Sequence, residues 1–167
     1  MKWLVRIVLL VVLVIAAVYG VGWLLPVAHV VSRSTLLGAP PQQVYDTIAE
    51  VGNYSQWWSE ISRVEMLPSE GGRTRFRQHS GAGPITMQVE EASPPSRFVT
   101  RIADPDQPFG GTWTFEIVAN AANKTLVTIT ERGEVYDPLY RFMSKFVFGH
   151  TSTLDSCLAA LTTKFGT

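Results

Sequence analysis

Residues 39–61, APPQQVYDTIAEVGNYSQWWSEI, carry the reading of the fold. Pro41 suits the first turn of a helix, where its missing N–H is one of the unpaired donors anyway. Val44, Ile48 and Val51 then recur at helical spacing, and Gly52-Asn53 stops the run. Residues 55–59 predict a second short helix or turn. It contains two adjacent tryptophans, Trp57 and Trp58, among polar neighbours. No helix or strand period buries adjacent side chains on one face, so the pair must divide between two environments.

Immediately upstream, Val31, Arg33, Thr35 and Leu37 alternate with Val30, Ser32, Ser34 and Leu36. This predicts a strand ended by Gly38 and Pro40-Pro41. Further upstream, residues 7–25 read IVLLVVLVIAAVYGVGWLL, nineteen positions without a charge. At about 1.5 Å per residue that run nearly spans a ~30 Å hydrocarbon core. Lys2 and Arg6 precede it, and Trp3, Tyr19 and Trp23 lie towards its ends, where amphipathic rings favour an interface. A cleaved signal peptide is the alternative, with Val18-Tyr19-Gly20 as a rough cleavage site. The run is longer than the usual apolar region of such a peptide, which favours an uncleaved anchor. The expected division is an anchor over residues 1–26 and one domain over 27–167. The positive residues before the span favour a cytoplasmic N-terminus and a domain on the periplasmic or extracellular side, although Arg33 weakens the bias.

Downstream, the pattern changes to period two. Strands are expected over 61–67, 73–79, 84–92, 97–103, 109–118 and 124–135. The breaks between them, PSEGG, SGAGP, SPPS, ADPDQP and NAAN, are rich in turn formers. Short consecutive breaks argue for an antiparallel meander. Ile85, Met87 and Val89 share one face of their strand, and Trp113, Phe115 and Ile117 one face of theirs, opposite Thr112, Thr114 and Glu116. That is a sheet with one dry face. The chain closes with a long amphipathic helix, capped by Asp137 with Pro138 in its first turn. Its stripe runs through Leu139, Phe142, Met143, Phe146, His150, Leu154, Cys157, Leu158, Leu161 and Phe165, interrupted by Gly149. This helix is the only large element able to cover the dry face, and a sheet wrapped round a helix leaves a cavity between them.

The chain has 167 residues and 46% hydrophobic composition. All fourteen acidic residues and twelve of the fourteen Lys and Arg follow the apolar span, leaving the domain near −2. A nucleic-acid partner therefore has no electrostatic support. The single cysteine, Cys157, excludes an internal disulfide and a multi-cysteine zinc site. No metal-binding histidine pair and no phosphate-binding glycine loop stand out, so no metal or cofactor is expected.

The order of elements resembles the helix-grip fold of the START-like superfamily, the polyketide cyclase/dehydrase and lipid-transport family. The resemblance covers residues 29–166. It rests on Ala39-Pro40, the Val44-Tyr45 pair opening the first helix, Asn53, and Trp58 followed three residues later by Ile61. SPPSRFVTRI and DPLYRFMSKFVFG…LAALTTKFG resemble the family's Pro-Pro hairpin and C-terminal helix. The resemblance implies an α+β domain: a curved antiparallel sheet of about seven strands round a long C-terminal helix, with two small helices after the first strand. It also implies an apolar cavity, with Trp58 buried where the small helices meet the sheet and Trp57 turned to the cavity mouth or the bilayer. Fold alone licenses binding of something apolar and no more.

Within that frame the expected cavity residues are Trp58, Met87, Trp113, Phe115, Phe146 and His150, with access near the two small helices. Trp57, Tyr140 and Phe142 are expected at the mouth or the membrane. Arg73, Arg75 and Arg77 form a row on one strand; a solvated outer face is the plain reading and contact with anionic headgroups the sharper one. Glu90, Glu116, Glu131 and Glu134 are placed on the surface by default, though one walled by tryptophan would make a cavity acid. The expected function is a membrane-tethered binding or transfer module for a small hydrophobic ligand such as a lipid, quinone or polyketide. The alternatives are a polyketide cyclase/dehydrase-type enzyme, with no catalytic residue identified, and a ligand-free protein-interaction domain of an envelope complex.

Overall fold

The computed structural model describes residues 2–120, 123–149 and 151–167. Helix α1 (Lys2–Leu24) is long and apolar enough to cross a membrane, and none of its hydrophobic window is buried. Strand β1 (Ala28–Leu37) follows, then α2 (Pro41–Ala49), a 3₁₀ turn (Val51–Asn53) and α3 (Tyr54–Trp57). Six strands come next: β2 (Ile61–Glu70), β3 (Arg73–Ser80), β4 (Gly83–Ser93), β5 (Arg97–Ile102), β6 (Phe109–Asn120) and β7 (Lys124–Val135). They form one antiparallel sheet in the order β1-β7-β6-β5-β4-β3-β2. Every strand from β2 to β7 pairs with its chain neighbour, which is the expected meander. β1 closes on β7 in an unbroken register from Ala28↔Glu134 to Leu37↔Thr125. Register breaks near Ile61, beyond Leu67 and at Val89 add twist to the strands that bear them.

The dry face follows the alternation. Odd-numbered residues of β6 and β7 point inward, and Phe115, Ile117, Val127 and Ile129 are buried there. Leu37, Val44, Ile48 and Phe98 join them, bringing α2 onto the sheet. Tyr54 reaches back from α3 to donate its hydroxyl to the Ile48 carbonyl at 2.8 Å, which ties the two small helices together.

The C-terminal segment differs from the single long helix expected. Asp137 caps α4 (Pro138–Met143), its Oδ1 accepting from the N–H groups of Leu139 at 2.8 Å and Tyr140 at 3.2 Å. A π-helical turn follows (Ser144–Phe148), and the helix ends at Gly149, whose φ of 75° takes the chain out of helical geometry at low cost only for glycine. A second helix, α5 (Ser152–Phe165), carries the grip. Its Leu154, Cys157, Leu158 and Leu161 are buried against the sheet. Burial pushes the Cys157 thiol well above its ordinary range, so it behaves as a small apolar side chain.

The outer face is held by charge. Glu90 accepts from Arg73 at 2.5 Å and Arg101 at 2.8 Å. Arg97 reaches Glu91 at 3.0 Å and Glu116 at 3.3 Å, and Arg75 reaches Glu70 at 2.6 Å. The long arms of these residues shelter Thr86 and Gln88, which are buried although they face away from the core. The arginine row is thus the plain outer face, with Arg73 and Arg75 paired to carboxylates rather than presented as an open basic stripe.

The end of α1 is fastened to α4. Gly22 is buried, and a Cβ there would collide with the Pro138 carbonyl, so only glycine permits the approach. Arg141 donates to the carbonyls of Leu25 at 3.0 Å and Tyr136 at 3.1 Å. Val135 N–H donates to the Val27 carbonyl at 2.8 Å.

Candidate functional site

Between the inner face of the sheet and the helices lies a cavity of about 300 Å³. Its closed end is made by Tyr54, Trp58, Phe76, Met87, Thr100 and Phe115, all buried. Its open end is marked by exposed Ala82 of the β3–β4 turn, Glu134 of β7, Tyr140 of α4 and Gly149. Access is therefore on the α4 side. The small helices, where access was expected, seal the opposite end with Tyr54 and Trp58.

Three indoles run in a ladder towards this space. Trp57 stacks on Trp58 with ring centroids 6.0 Å apart and planes 21° apart. Trp58 stacks in turn on Trp113, again at 6.0 Å, with planes 25° apart. Trp58 is only 3% exposed and donates its Nε1–H to Ser156 Oγ of α5 at 3.0 Å. The ladder thus pins α3, β6 and α5 to one another. Trp57 is half-buried against the same core cluster and does not line the cavity, contrary to the mouth position expected for it. Its stacking on Trp58 turns it along the ladder instead, and its Nε1–H is buried without a partner among the described residues.

The third indole leads to the polar wall. Trp113 Nε1–H donates to Glu131 Oε2 at 2.8 Å, and His29 Nε2 lies 3.0 Å from Glu131 Oε1. A carboxylate in its ionised form only accepts, and the hydrogen of this contact then sits on His29 Nε2. β1, β6 and β7 supply one residue each, and the register places Trp113 directly opposite Glu131. The side chains of His29 and Glu131 are 17% and 20% exposed, and both line the cavity. This is a carboxylate fixed by two N–H donors on a largely apolar wall. The carboxylate can accept a hydrogen bond from a bound molecule, and it is the proton acceptor of the Glu131–His29 pair.

Of the residues expected at the cavity, Trp58, Met87, Trp113 and Phe115 are on its wall and Tyr140 is on its rim. Phe146 is not: it sits in the π turn, 57% exposed, packed on Phe142 with centroids 4.9 Å apart. Extra residues in that turn rotate the helical stripe, so the 3.6 spacing that placed Phe146 inside fails there. Phe142 is half-buried beside it and does not line the cavity. His150 lies outside the described residues. Of the four glutamates, Glu90 and Glu116 belong to the outer ion pairs, while Glu131 and Glu134 line the cavity. Sequence reading missed His29. Its signal was the odd-numbered row His29, Val31, Arg33, Thr35 and Leu37, whose last member is fully buried. No group of His, Cys, Asp and Glu able to hold a metal occurs among the described residues.

Solved structures share this fold. A START superfamily protein from Mycobacterium smegmatis matches with a TM-score of 0.66 and 20% identity, covering 82% of this chain and 97% of its own. The Zhui aromatase/cyclase from a Streptomyces matches with a TM-score of 0.66 and 15% identity, covering 82% and 93%. Norcoclaurine synthase from Thalictrum flavum matches with a TM-score of 0.64 and 9% identity, covering 83% and 86%. At these identities the likeness is one of fold. Among curated proteins none matches the chain. A family model matches residues 28–166, nearly the whole chain beyond α1, and the chain belongs to the polyketide cyclase/dehydrase and lipid transport family.

Proposed function

We propose that the protein is a membrane-tethered binding or transfer module for a small hydrophobic ligand, held in the cavity between the sheet and the C-terminal helices. The observation that carries this is the cavity itself: about 300 Å³, sealed by aromatic and aliphatic side chains at one end and open at the other. Pockets of this size with few polar groups suit compact apolar molecules. Two features support the tether. Helix α1 has membrane-spanning length, and its end is locked to α4, which also forms part of the cavity rim. Phe146 and Val147 of the following turn are exposed, and a bilayer held close by α1 would cover them. The test is extraction and native mass spectrometry of the full-length protein. Co-purification of a defined apolar molecule is the expected result; a crystal structure with the cavity filled by the protein's own side chains would overturn the proposal.

A second reading, an enzyme of the polyketide cyclase type, draws on the Glu131–His29 pair. A proton-accepting pair beside a shaped apolar space is what proximity and general-base chemistry require. Under that reading, Glu131→Gln abolishes turnover of a reactive polyketide while leaving its binding intact. Retained turnover would sink it.

A further inference from the structure

Among the described residues the formal charges on the cavity wall have one sign. Glu131 and Glu134 line it, and among the described residues no Lys or Arg does. The arginines near the sheet are spent elsewhere: Arg73, Arg75, Arg97 and Arg101 pair with outer-face glutamates, Arg33 with Asp155 at 3.1 Å, and Arg141 with backbone carbonyls. Among the described residues His29 is the one basic group on the wall, and its Nε2 is directed at Glu131. Each Glu131 oxygen accepts one N–H, from His29 or from Trp113, and a carboxylate oxygen has a second lone pair. The carboxylate is thus oriented and still able to accept.

We infer that the ligand is a neutral or cationic hydrogen-bond donor, a phenol, alcohol or amine on a compact apolar body, and that carboxylates and phosphates are rejected. This deepens the binding proposal and rests on it. The physical reason is asymmetric. A hydroxyl or ammonium brought to Glu131 replaces its lost water with a hydrogen bond to a charged acceptor. An anion brought to the same place finds no Lys or Arg among the described lining residues and meets a like charge where little water remains to screen it. The site therefore discriminates chiefly by what it repels. At about 300 Å³ the cavity admits a body of two or three fused rings.

Full-length protein in nanodiscs of zwitterionic lipid separates the outcomes, with empty nanodiscs correcting for partition into lipid. The probes are 2-naphthol, 2-naphthoate and 2-methylnaphthalene at pH 7, read by isothermal titration and saturation-transfer NMR. The expected order is naphthol tightest, methylnaphthalene weaker, and naphthoate at least about tenfold weaker than naphthol. Glu131→Gln, which keeps an acceptor but removes the charge, is expected to bring naphthoate within about threefold of naphthol. Naphthoate binding as tightly as naphthol to the wild type would overturn the inference while leaving the cavity proposal standing. Failure of all three probes, methylnaphthalene included, would overturn both. The wild-type ranking decides the matter even where the variant does not fold.

Discussion

Trp58→Ala is the substitution with the largest expected effect on the fold, and Trp57→Ala is its internal control. Truncating a buried aromatic costs about 3–5 kcal/mol. For Trp58 the parts are visible. It loses a stacked partner on each face, about 0.5–1.5 kcal/mol apiece beyond burial, and a hydrogen bond to Ser156 worth about 1 kcal/mol. One feature moderates the total. The space it vacates opens into the existing cavity, where water from the α4 side fills part of the void. The lower end, about 3 kcal/mol, is therefore expected. Trp57 is only half-buried, stacks on one face, and carries a buried Nε1–H without a partner among the described residues. Such a group is itself costly, about 1–3 kcal/mol, and its removal offsets the lost contacts. A loss near 1 kcal/mol is expected. Thermal unfolding of the full chain in detergent, followed by near-ultraviolet circular dichroism, reads both. At about 3 °C per kcal/mol, Trp58→Ala should lower Tm by about 9 °C and Trp57→Ala by about 3 °C. Equal shifts, or a larger one for Trp57, would refute the assignment of Trp58 as the centre of the ladder.

Three further outcomes are open to measurement. Glu90 is held below the usual carboxylate range, first by its hydrogen bond from Arg101, with the charge of Arg73 helping. A depressed folded pKa contributes stability that is present above about pH 4.3 and lost as pH falls through the folded value. Glu90→Gln should therefore flatten the acid limb of the stability curve, by under about 1 kcal/mol at this partly solvated site and less at high salt; an unchanged acid limb would count against it. Gly22→Val should force α1 off Pro138 and speed amide hydrogen exchange in residues 138–143 by about tenfold or more, with the sheet unaffected. Arg141→Met, which removes the bonds to the Leu25 and Tyr136 carbonyls, should loosen the same segment by about 1 kcal/mol or more; unaltered exchange in either variant would show that α4 stands without α1.

The strands were legible because each obeys one local rule, alternation between turn residues, and the sheet imposes nothing further on their existence. Even the inward face of β6 could be read from Trp113, Phe115 and Ile117. The site was legible only in its apolar half. Trp58, Met87, Trp113 and Phe115 announce themselves by type and period. His29 and Glu131 lie 102 residues apart in sequence and meet only because β1 closes on β7 beside β6. A lone histidine and a strand glutamate carry no local mark of that closure. The C-terminal helix misled for a different reason. Its stripe is continuous in the sequence, but the π turn and Gly149 divide it, so Phe146 leaves the face on which Leu154 and Leu158 remain. Trp57 misled because stacking, which is a property of neighbours in space, overrides the helix period.

The division of that last helix also explains why α1 bears on the site. A six-residue helix has too few internal hydrogen bonds to stand alone in water. α4 is held by what surrounds it: the Asp137 cap at its start, the Arg141 bonds to Leu25 and Tyr136, and the packing of Gly22 against Pro138. Two of these three run to α1 or its immediate continuation. Yet α4 supplies Tyr140 to the cavity rim, whereas α5, bound to the sheet by four buried side chains, forms the firm side of the grip. The wall of the cavity thus depends on the core, and the order of its rim depends on α1. Whatever shifts α1 relative to the domain acts first on Tyr140 and Ser144, on the α4 side of the cavity, and last on Trp58, at its closed end.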